Sequence, residues 1–228
     1  MSTINDIIQK ARSENRAALL EHEAKQVLKK IGVQIPPSVL AQTEEEAVNA
    51  AESFGYPVVM KLMSSEVLHK TDARAVMIDL NSAEDVRKIY HDFRNRFQNV
   101  KIAGILVEKM VDKGIELIIG TNTDDDFGPV ILFGVGGVLV EAIKDVVFRM
   151  CPTTVAQALN AINEIKAKII LEGFRGLPAV NKNELANLIV NISKLAWEYK
   201  DAILEMDINP VIANNSGLHP VDARIILK

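Results

Sequence analysis

Short apolar segments alternate with amphipathic segments along the whole chain, and this alternation restricts the possible folds more than any other feature. Apolar runs such as PVVMKLM (57–63) and PVILFGVG (129–136) are typical of buried strands, whereas NKNELANLIVNISKLAWEY (181–199) repeats its apolar residues at helical spacing. Helices and strands that follow one another in this way pack as layers around a shared core. The sequence therefore predicts an α+β (α/β) fold.

The predicted elements fall into two groups, which indicates two α+β lobes with a cleft between them. In the first group, helices are predicted at about 14–31, 43–55 and 81–97, separated by short strands. The second group begins with three successive strand candidates and ends with a hairpin around the turn NNSG. We place the boundary near Asn99–Lys101, which gives lobes of 1–100 and 101–228.

The composition excludes several functional classes. The chain has 228 residues, of which 48% are hydrophobic and 25% charged, and its formal charge of −4 without basic clusters argues against nucleic-acid binding. The longest apolar run, residues 129–140, is too short to span a bilayer. The single cysteine, Cys151, precludes an internal disulfide and is typical of a reducing compartment. We therefore expect a soluble cytoplasmic protein.

Acidic and amide side chains converge in the predicted C-terminal hairpin. Asp207 and Asn209 lie two residues apart on a strand, so both side chains are expected on the same face. If NNSG forms a symmetric four-residue turn, the register places Asp222 opposite Asn209. Two carboxylates and an amide oxygen are hard ligands of the kind that Mg²⁺ prefers. The pattern indicates a magnesium site; a solvated strand face is the alternative, and Pro210 or Pro220 could shift the register.

Four separated motifs, in this order, resemble one enzyme family. They are PVVMKLMSSEVLHKTD (57–72), KGIELIIG (113–120), FGPVILFGVGGVLVEAIKDVVFRMCP (127–152) and DINPV with VDARI at the C-terminus. Together with LLEHEAKQVLKKIGVQIP near the N-terminus, they cover nearly the whole chain. The chain resembles the β subunit of ADP-forming acyl-CoA synthetases (acetate–CoA ligases), which has the ATP-grasp fold and is related to the succinyl-CoA synthetase β subunit.

The resemblance implies a mechanism, cofactors and a partner. Such enzymes make ATP from acyl-CoA, ADP and phosphate, with Mg²⁺ as the cofactor and ADP/ATP as the nucleotide. A separate α subunit binds CoA and forms the acyl phosphate, and an assembly of two α and two β subunits is expected. The β subunit carries a histidine that passes the phosphoryl group to ADP, and His69 in LHKTD matches this position. Neutral imidazole is a competent nucleophile near pH 7; an exposed loop histidine is the alternative.

Four further residues are assigned to the nucleotide by the same resemblance. Lys61, at the end of a strand, is expected to reach the phosphates, which a compact ammonium suits. Glu108 and Met110 are expected beside the adenine, and Glu116 is expected to accept hydrogen bonds from the ribose hydroxyls. An ordinary strand-end lysine and an exposed strand with outward acidic residues are the respective alternatives.

The glycine-rich GVGG segment resembles the family's phosphate loop. Gly136 and Gly137 would allow backbone N–H groups to approach phosphate oxygens closely, and a glycine kink in a buried strand is the alternative. Glu141 matches an acidic position near the active site. Arg149 is assigned to phosphate neutralisation or to the surface that faces the α subunit, with Asp145 orienting it.

One position departs from the pattern of the family. Many members carry two adjacent glycines soon after the histidine, whereas this chain has Arg74 and Ala75 in their place. A phosphate-covering loop built from glycine backbone is therefore in doubt here. Arg74 could contact phosphate through its guanidinium, or the change could weaken nucleotide binding.

Three functions remain open from the sequence. The first is a catalytic β subunit, which the joint presence of the histidine, the lysine, the metal trio and the glycine loop favours. The second is a non-catalytic nucleotide-sensing ATP-grasp module of a protein-acylation or regulatory complex. The third is a stand-alone carboxylate–amine ligase of the ATP-grasp superfamily, which would not need His69.

Overall fold

The computed structural model describes residues 2–67, 73–137, 145–173 and 176–228. These residues form two compact units. The smaller unit is Pro36–Val111, and the larger unit combines Met1–Ile35 with Asp112–Lys228. The smaller unit is therefore inserted into the chain of the larger one.

The described residues form six α-helices, one 3₁₀ helix and ten strands. Up to residue 109 the elements are α1 (Ile4–Ser13), α2 (Glu21–Lys30), β1 (Ser38–Ala41), α3 (Glu44–Phe54), β2 (Val58–Met63), β3 (Val76–Leu80), α4 (Ala83–Arg96) and β4 (Gly104–Lys109). The remaining elements are β5 (Ile115–Asp124), β6 (Gly128–Val135), β7 (Val146–Met150), α5 (Val155–Glu164), the 3₁₀ helix (Lys166–Glu172), α6 (Lys182–Glu198), β8 (Ile203–Asn214), β9 (Gly217–Pro220) and β10 (Arg224–Leu227). This mixture confirms the predicted α+β class.

The smaller unit is a four-stranded antiparallel sheet in the order β1–β4–β2–β3, with α3 and α4 packed against it. Met60 on β2 and Phe93 on α4 are fully buried in its core. The hydroxyl groups of Thr43 and Ser82 accept hydrogen bonds from backbone N–H groups in the first turns of α3 and α4. These caps explain why both helices begin where the sequence pattern predicts.

The larger unit is built on an antiparallel sheet in the order β10–β8–β5–β6–β7, with β9 also paired to β8. Its core contains Leu117, Phe133 and Met206 from the sheet, together with Ile189 and Ile192 from α6. No helix within the described ranges is long and apolar enough to cross a membrane.

The observed units differ from the predicted lobes 1–100 and 101–228. Leu19 belongs to the larger unit because its N–H donates to the carbonyl of Ile225 on β10, at 2.9 Å. Strand β4 lies after the predicted boundary, but it occupies the interior of the smaller sheet between β1 and β2. Element types are readable from local periodicity, whereas these sheet partners are set by contacts between distant segments.

The predicted helix at about 14–31 is wrong over its first part. A capping box formed by Thr3 and Asp6 starts a separate helix, α1, and α2 begins only at Glu21. Between the two helices, the guanidinium of Arg16 contacts the carboxylate of Glu23 at 2.6 and 2.9 Å. This ion pair holds the connecting segment outside both helices.

Candidate active site

A buried ion pair lies in the smaller sheet. Lys61 on β2 and Glu108 on β4 are only 6% and 2% exposed, and Lys61 Nζ lies 3.3 Å from Glu108 Oε1. Because Val59 pairs directly with Glu108 in the β2–β4 register, Lys61 is a diagonal neighbour of Glu108 on the same face. The carboxylate balances the ammonium, which makes the burial of both charges tolerable.

The two residues predicted beside the adenine, Glu108 and Met110, both lie in the smaller unit. The carboxylate of Glu108 contacts Lys61, as described above. The backbone N–H of Met110 donates to the carbonyl of Pro57 at 3.3 Å, and its side chain is half-buried. The contacts of Glu108 and Met110 with adenine stay predictions. The backbone N–H of Met110 is already used in a hydrogen bond within the protein.

The C-terminal hairpin brings the three predicted metal ligands together in the larger unit. The pairing of β8 with β9 near the turn and with β10 beyond it follows one register, in which Asp222 lies opposite Asn209. Asp207 and Asn209 are half-buried, whereas Met206 and Ile208 are buried in the core, so the first two share the face turned away from it. The predicted turn register is confirmed.

Asp207 has an unusual electrostatic environment. Its Oδ1 atom is buried and has no hydrogen-bond partner within the described part of the chain. Burial raises the pKa of Asp207 above its ordinary value and the carboxylates of Asp222 and Glu205 raise it further, whereas Arg224 acts in the opposite direction. A buried carboxylate oxygen is unfavourable unless a cation or a donor satisfies it.

The donor set of the hairpin fits Mg²⁺. Asp207 and Asp222 offer carboxylate oxygens, and the buried Oδ1 of Asp207 supplies a ligand atom that has no other partner in the described residues. Asn209 Oδ1 accepts a hydrogen bond from the N–H of Gly137 at 2.9 Å, which leaves a second lone pair for a cation. The described ranges contain no cluster of three His, Cys, Asp or Glu side chains suited to a metal, so three protein ligands here require the amide.

The glycine loop packs against β5 and the hairpin. The N–H of Gly136 donates to the carbonyl of Glu116 at 2.8 Å, and a Cβ at Gly136 would overlap the backbone of Leu117. Gly137 has a φ of +68°, and a Cβ there would overlap the carboxylate of Glu116. The structure therefore brings together Glu116, Gly137 and Asn209. The first two were predicted to bind the nucleotide, and Asn209 was predicted to bind the metal.

Arg149 and Asp145 have other partners. Arg149 on β7 forms an ion pair with Glu164 on α5, with 2.5 Å between Nη2 and Oε1. The two carboxylate oxygens of the buried Asp145 accept hydrogen bonds from the backbone N–H groups of Lys166 and Ala167, at 2.8 and 2.7 Å. The prediction that Asp145 orients Arg149 is wrong, because this carboxylate caps the 3₁₀ helix instead.

Three other predicted positions lie in or beside segments that the structure leaves out. His69 and Glu141 lie outside the described residues. Arg74 is exposed and has a φ of +50°, and its carbonyl accepts a hydrogen bond from Arg96 Nη2 at 2.9 Å. A left-handed conformation costs a non-glycine residue free energy, which gives a physical reason for the glycine expected here from the family pattern.

Sequence reasoning missed a buried charge pair on α2. Glu21 and Lys25 are each 3% exposed, and their carboxylate and ammonium groups lie 2.9 Å apart. Lys25 Nζ also donates to the carbonyl of Val221, immediately before Asp222, at 2.7 Å. The spacing of four residues is visible in the sequence, but such pairs are ordinary on exposed helix faces, so the spacing alone gave no signal.

The fold and this donor set define a class of protein, the ATP-grasp domain, and the ATP-grasp domain family matches residues 10–227. The β subunit of acetate–CoA ligase (ADP-forming) II from Pyrococcus furiosus is 44% identical over 228 residues, which cover 97% of each chain. The chain belongs to the family of β subunits of ADP-forming acetate–CoA ligases. The resemblance stated from the sequence motifs is thereby confirmed.

Solved structures of dinucleotide-forming acetyl-coenzyme A synthetase 1 from Candidatus Korarchaeum cryptofilum are similar over the whole chain. One, with coenzyme A, acetyl-coenzyme A and a phosphorylated phosphohistidine segment, has a TM-score of 0.90 at 40% identity. Another, with coenzyme A and Mg-AMPPCP, has its phosphohistidine segment pointing towards the nucleotide-binding site and a TM-score of 0.87 at 40% identity. Each covers 99% of this chain and 100% of the solved chain. The predicted ATP-grasp fold is confirmed.

Proposed function

We propose that this chain is the β subunit of an ADP-forming acyl-CoA synthetase, in which it transfers a phosphoryl group between a histidine and Mg-ADP. One observation carries the proposal: Asn209, which shares a hairpin face with Asp207 and lies opposite Asp222, accepts a hydrogen bond from the N–H of Gly137. A candidate cation site thus adjoins the glycine loop, whose Gly136 and Gly137 N–H groups donate to Glu116 and Asn209 in this structure. The full-length similarity to a β subunit supports the same conclusion.

The proposed step exchanges one bond for another at phosphorus. The P–N bond of phosphorylated His69 breaks, a terminal phosphate oxygen of ADP forms the new P–O bond, and the released imidazole nitrogen takes up a proton. His69 is assigned this role because it occupies the histidine position of the family motif. The reverse reaction phosphorylates the imidazole from ATP, and this direction gives the simplest assay.

Asp207, Asn209 and Asp222 would hold the magnesium ion, whose chemistry when bound is to neutralise phosphate charge. Asp207 must be ionised to act as a ligand, and because burial and the neighbouring carboxylates raise its pKa, a bound cation would stabilise the ionised form. The N–H of Gly137 fixes the amide of Asn209 through the hydrogen bond to Oδ1. Glu116, whose carboxylate lies beside Gly137, is proposed to bind the ribose hydroxyls.

Lys61 is proposed to contact the nucleotide phosphates. Its ammonium lies 3.3 Å from Glu108 and is almost fully buried, so it is held in place before a nucleotide binds. A positioned cation loses less side-chain entropy on binding phosphate than a mobile surface lysine does. Glu108 therefore has a supporting role for Lys61 in addition to its proposed place beside the adenine.

The proposed reaction needs a second polypeptide. The relative from Pyrococcus furiosus is named as a β subunit, which implies a partner subunit in that enzyme. For this chain we propose a CoA-binding α subunit that forms the acyl phosphate, in an assembly of two α and two β subunits. A cytoplasmic location agrees with the composition and stays part of the proposal.

The proposal is tested by labelling the chain with γ-³²P-ATP and Mg²⁺, with and without the α subunit. We expect label that is labile in acid and stable in base, and we expect His69→Asn to abolish it. The matched control is His91→Asn on α4. The His91 imidazole is exposed, contacts Glu44, and lies outside the LHKTD motif that contains His69. This control should be labelled like the wild type.

Two outcomes would contradict the proposal. Nucleotide-dependent thermal stabilisation without any label would indicate a sensing module. Full turnover of a carboxylate and an amine by His69→Ala would indicate a stand-alone ligase that forms an acyl phosphate directly.

A further inference from the structure

The hairpin that carries the candidate metal ligands has a gap in its backbone pairing. Strand β9 ends at Pro220 and β10 begins at Arg224, so residues 221–223 lie between two ladders on β8. Within this gap the N–H of Val221 donates to the carbonyl of Pro210 at 3.1 Å. In an antiparallel sheet, two such opposed residues normally exchange a second hydrogen bond in the other direction.

The second hydrogen bond cannot form here. Proline has no backbone N–H, so Pro210 cannot donate to the carbonyl of Val221. A carbonyl at such a half-buried position still requires a donor. Lys25 from α2 supplies one, because its Nζ lies 2.7 Å from the Val221 oxygen. The lysine therefore replaces the ladder bond that the proline removes.

The donor is itself fixed. Lys25 is 3% exposed and forms an ion pair with Glu21, one turn earlier on the same helix, at 2.9 Å. Glu21 is buried to the same extent, so neither side chain moves freely in solvent. At the other end of the gap, the N–H of Ala223 donates to Asp222 Oδ1 at 2.8 Å. Asp222 thus lies between two anchored backbone positions.

We infer that Lys25, held by Glu21, is a positioning residue for Asp222. It fixes the carbonyl of Val221 and thereby the direction in which the next residue presents its carboxylate to the cation. The inference rests on the proposed function, because it takes Asp222 as a metal ligand. It assigns a role in metal binding to helix α2, whose Lys25 lies 196 residues before Val221 in the sequence.

The test measures Mn²⁺ affinity by electron paramagnetic resonance at saturating ADP, in the full chain, together with unfolding in urea. Lys25→Met alone removes the ammonium that pairs with the buried Glu21 carboxylate, so it is compared with Glu21→Gln/Lys25→Met, which removes both charges of the pair. We expect the double variant to stay folded with a modest loss of stability, because the Val221 carbonyl loses its donor. We expect it to bind Mn²⁺ about tenfold more weakly, as for other groups that orient metal ligands.

The matched control is Glu23→Gln. Glu23 lies on the same helix and pairs with Arg16, but its contacts are with the segment before α2 and not with the hairpin. This variant should lose stability and keep wild-type Mn²⁺ affinity. Wild-type affinity in the double variant, or an equal loss of affinity in Glu23→Gln, would overturn the inference.

Asp222→Asn, measured in parallel, separates the inference from the proposed function. If Asp222→Asn weakens Mn²⁺ binding and the Lys25 variants do not, only the positioning role is lost. If Asp222→Asn also binds Mn²⁺ like the wild type, the metal site fails and the inference fails with it.

Discussion

In the smaller unit, Lys61 and Glu108 are buried as opposite charges 3.3 Å apart. In the larger unit, Asp207 and Asp222 approach each other as like charges, and burial together with Asp222 raises the pKa of Asp207. The opposite charges of the first cluster offset each other, whereas in the second Arg224 lowers the pKa of Asp207 against the burial and the two carboxylates that raise it. The difference indicates that the lysine is held ready for an anion, and that the acidic cluster reaches its lowest free energy only when a cation binds.

The backbone beside the two clusters differs in the opposite sense. Gly136 in the larger unit is closely packed, because any Cβ there would overlap the backbone of Leu117. Arg74 in the smaller unit holds a left-handed conformation with an exposed side chain, where glycine would be easier. The larger unit thus has a backbone fitted to its site, and the smaller unit carries a residue that its local backbone disfavours.

The largest effect is expected from breaking the balanced pair. Lys61→Met removes the ammonium that pairs with the buried Glu108 carboxylate, which should lower the free energy of unfolding by about 3 kcal/mol. Urea unfolding followed by circular dichroism measures this loss. The control is the double variant Lys61→Met/Glu108→Leu, which removes both charges and should recover most of the stability. If Lys61→Met were as stable as the wild type, the buried charge of Glu108 would not depend on Lys61.

Gly136→Ala should have the next largest effect. Its new methyl group meets main-chain atoms of Leu117, which cannot move away, and overpacking of this kind costs about 2 kcal/mol. At Gly137 the methyl group meets the movable carboxylate of Glu116, so Gly137→Ala should cost only about 1 kcal/mol for its positive φ. Urea unfolding of both variants checks the order, and the reverse order would refute the close packing at Gly136.

The comparison also shows what a single sequence reveals. The hairpin register is set locally by NNSG and by strand alternation, so the position of Asn209 opposite Asp222 was predictable and agrees with the register of the two ladders beside it. The strand type of β2 and β4 was equally readable from their apolar runs. Each family motif is a continuous stretch of sequence, which is why the ATP-grasp fold could be predicted from the motifs. This prediction is confirmed.

Features that depend on distant contacts were not predictable. The ion pair of Lys61 with Glu108 joins residues 47 apart, and the contact of Lys25 with Val221 joins residues 196 apart. Asp145 was assigned by its nearness to Arg149 in sequence, but its partners lie more than 20 residues further on, at the start of the 3₁₀ helix. No local pattern specifies which of several possible donors a carboxylate meets in the folded chain.

A third prediction concerns the unbalanced cluster and pH, without divalent cations. Because the folded-state pKa of Asp207 is raised above its ordinary 3.8, ionisation of this group opposes folding. The penalty is present above the raised pKa, shrinks as the pH falls through it, and is gone below the ordinary value. Asp207→Asn should therefore be more stable than the wild type at pH 7 and equally stable at about pH 2.5, well below the ordinary value, as urea titrations at both pH values would measure.

The same variant should bind Mn²⁺ on the order of tenfold more weakly, because a neutral amide replaces the carboxylate whose Oδ1 has no hydrogen-bond partner in the described residues. The control is Glu205→Gln, which removes a neighbouring charge that raises the same pKa without removing a proposed ligand. Equal Mn²⁺ affinity in Asp207→Asn and Glu205→Gln would mean that the cluster attracts cations by charge alone.

The smallest effect is expected at Arg74. Arg74→Gly should raise the free energy of unfolding by about 1 kcal/mol, because glycine adopts a φ of +50° without the steric cost that a Cβ carries. Arg74→Ala keeps the Cβ and removes the guanidinium, so it is the matched control and should leave stability unchanged. If Arg74→Gly gains stability and binds ADP as tightly as the wild type, the residue has no role in phosphate binding. Weaker ADP binding in both variants would instead assign the guanidinium to the phosphates, and would give the smaller unit a second cation beside Lys61.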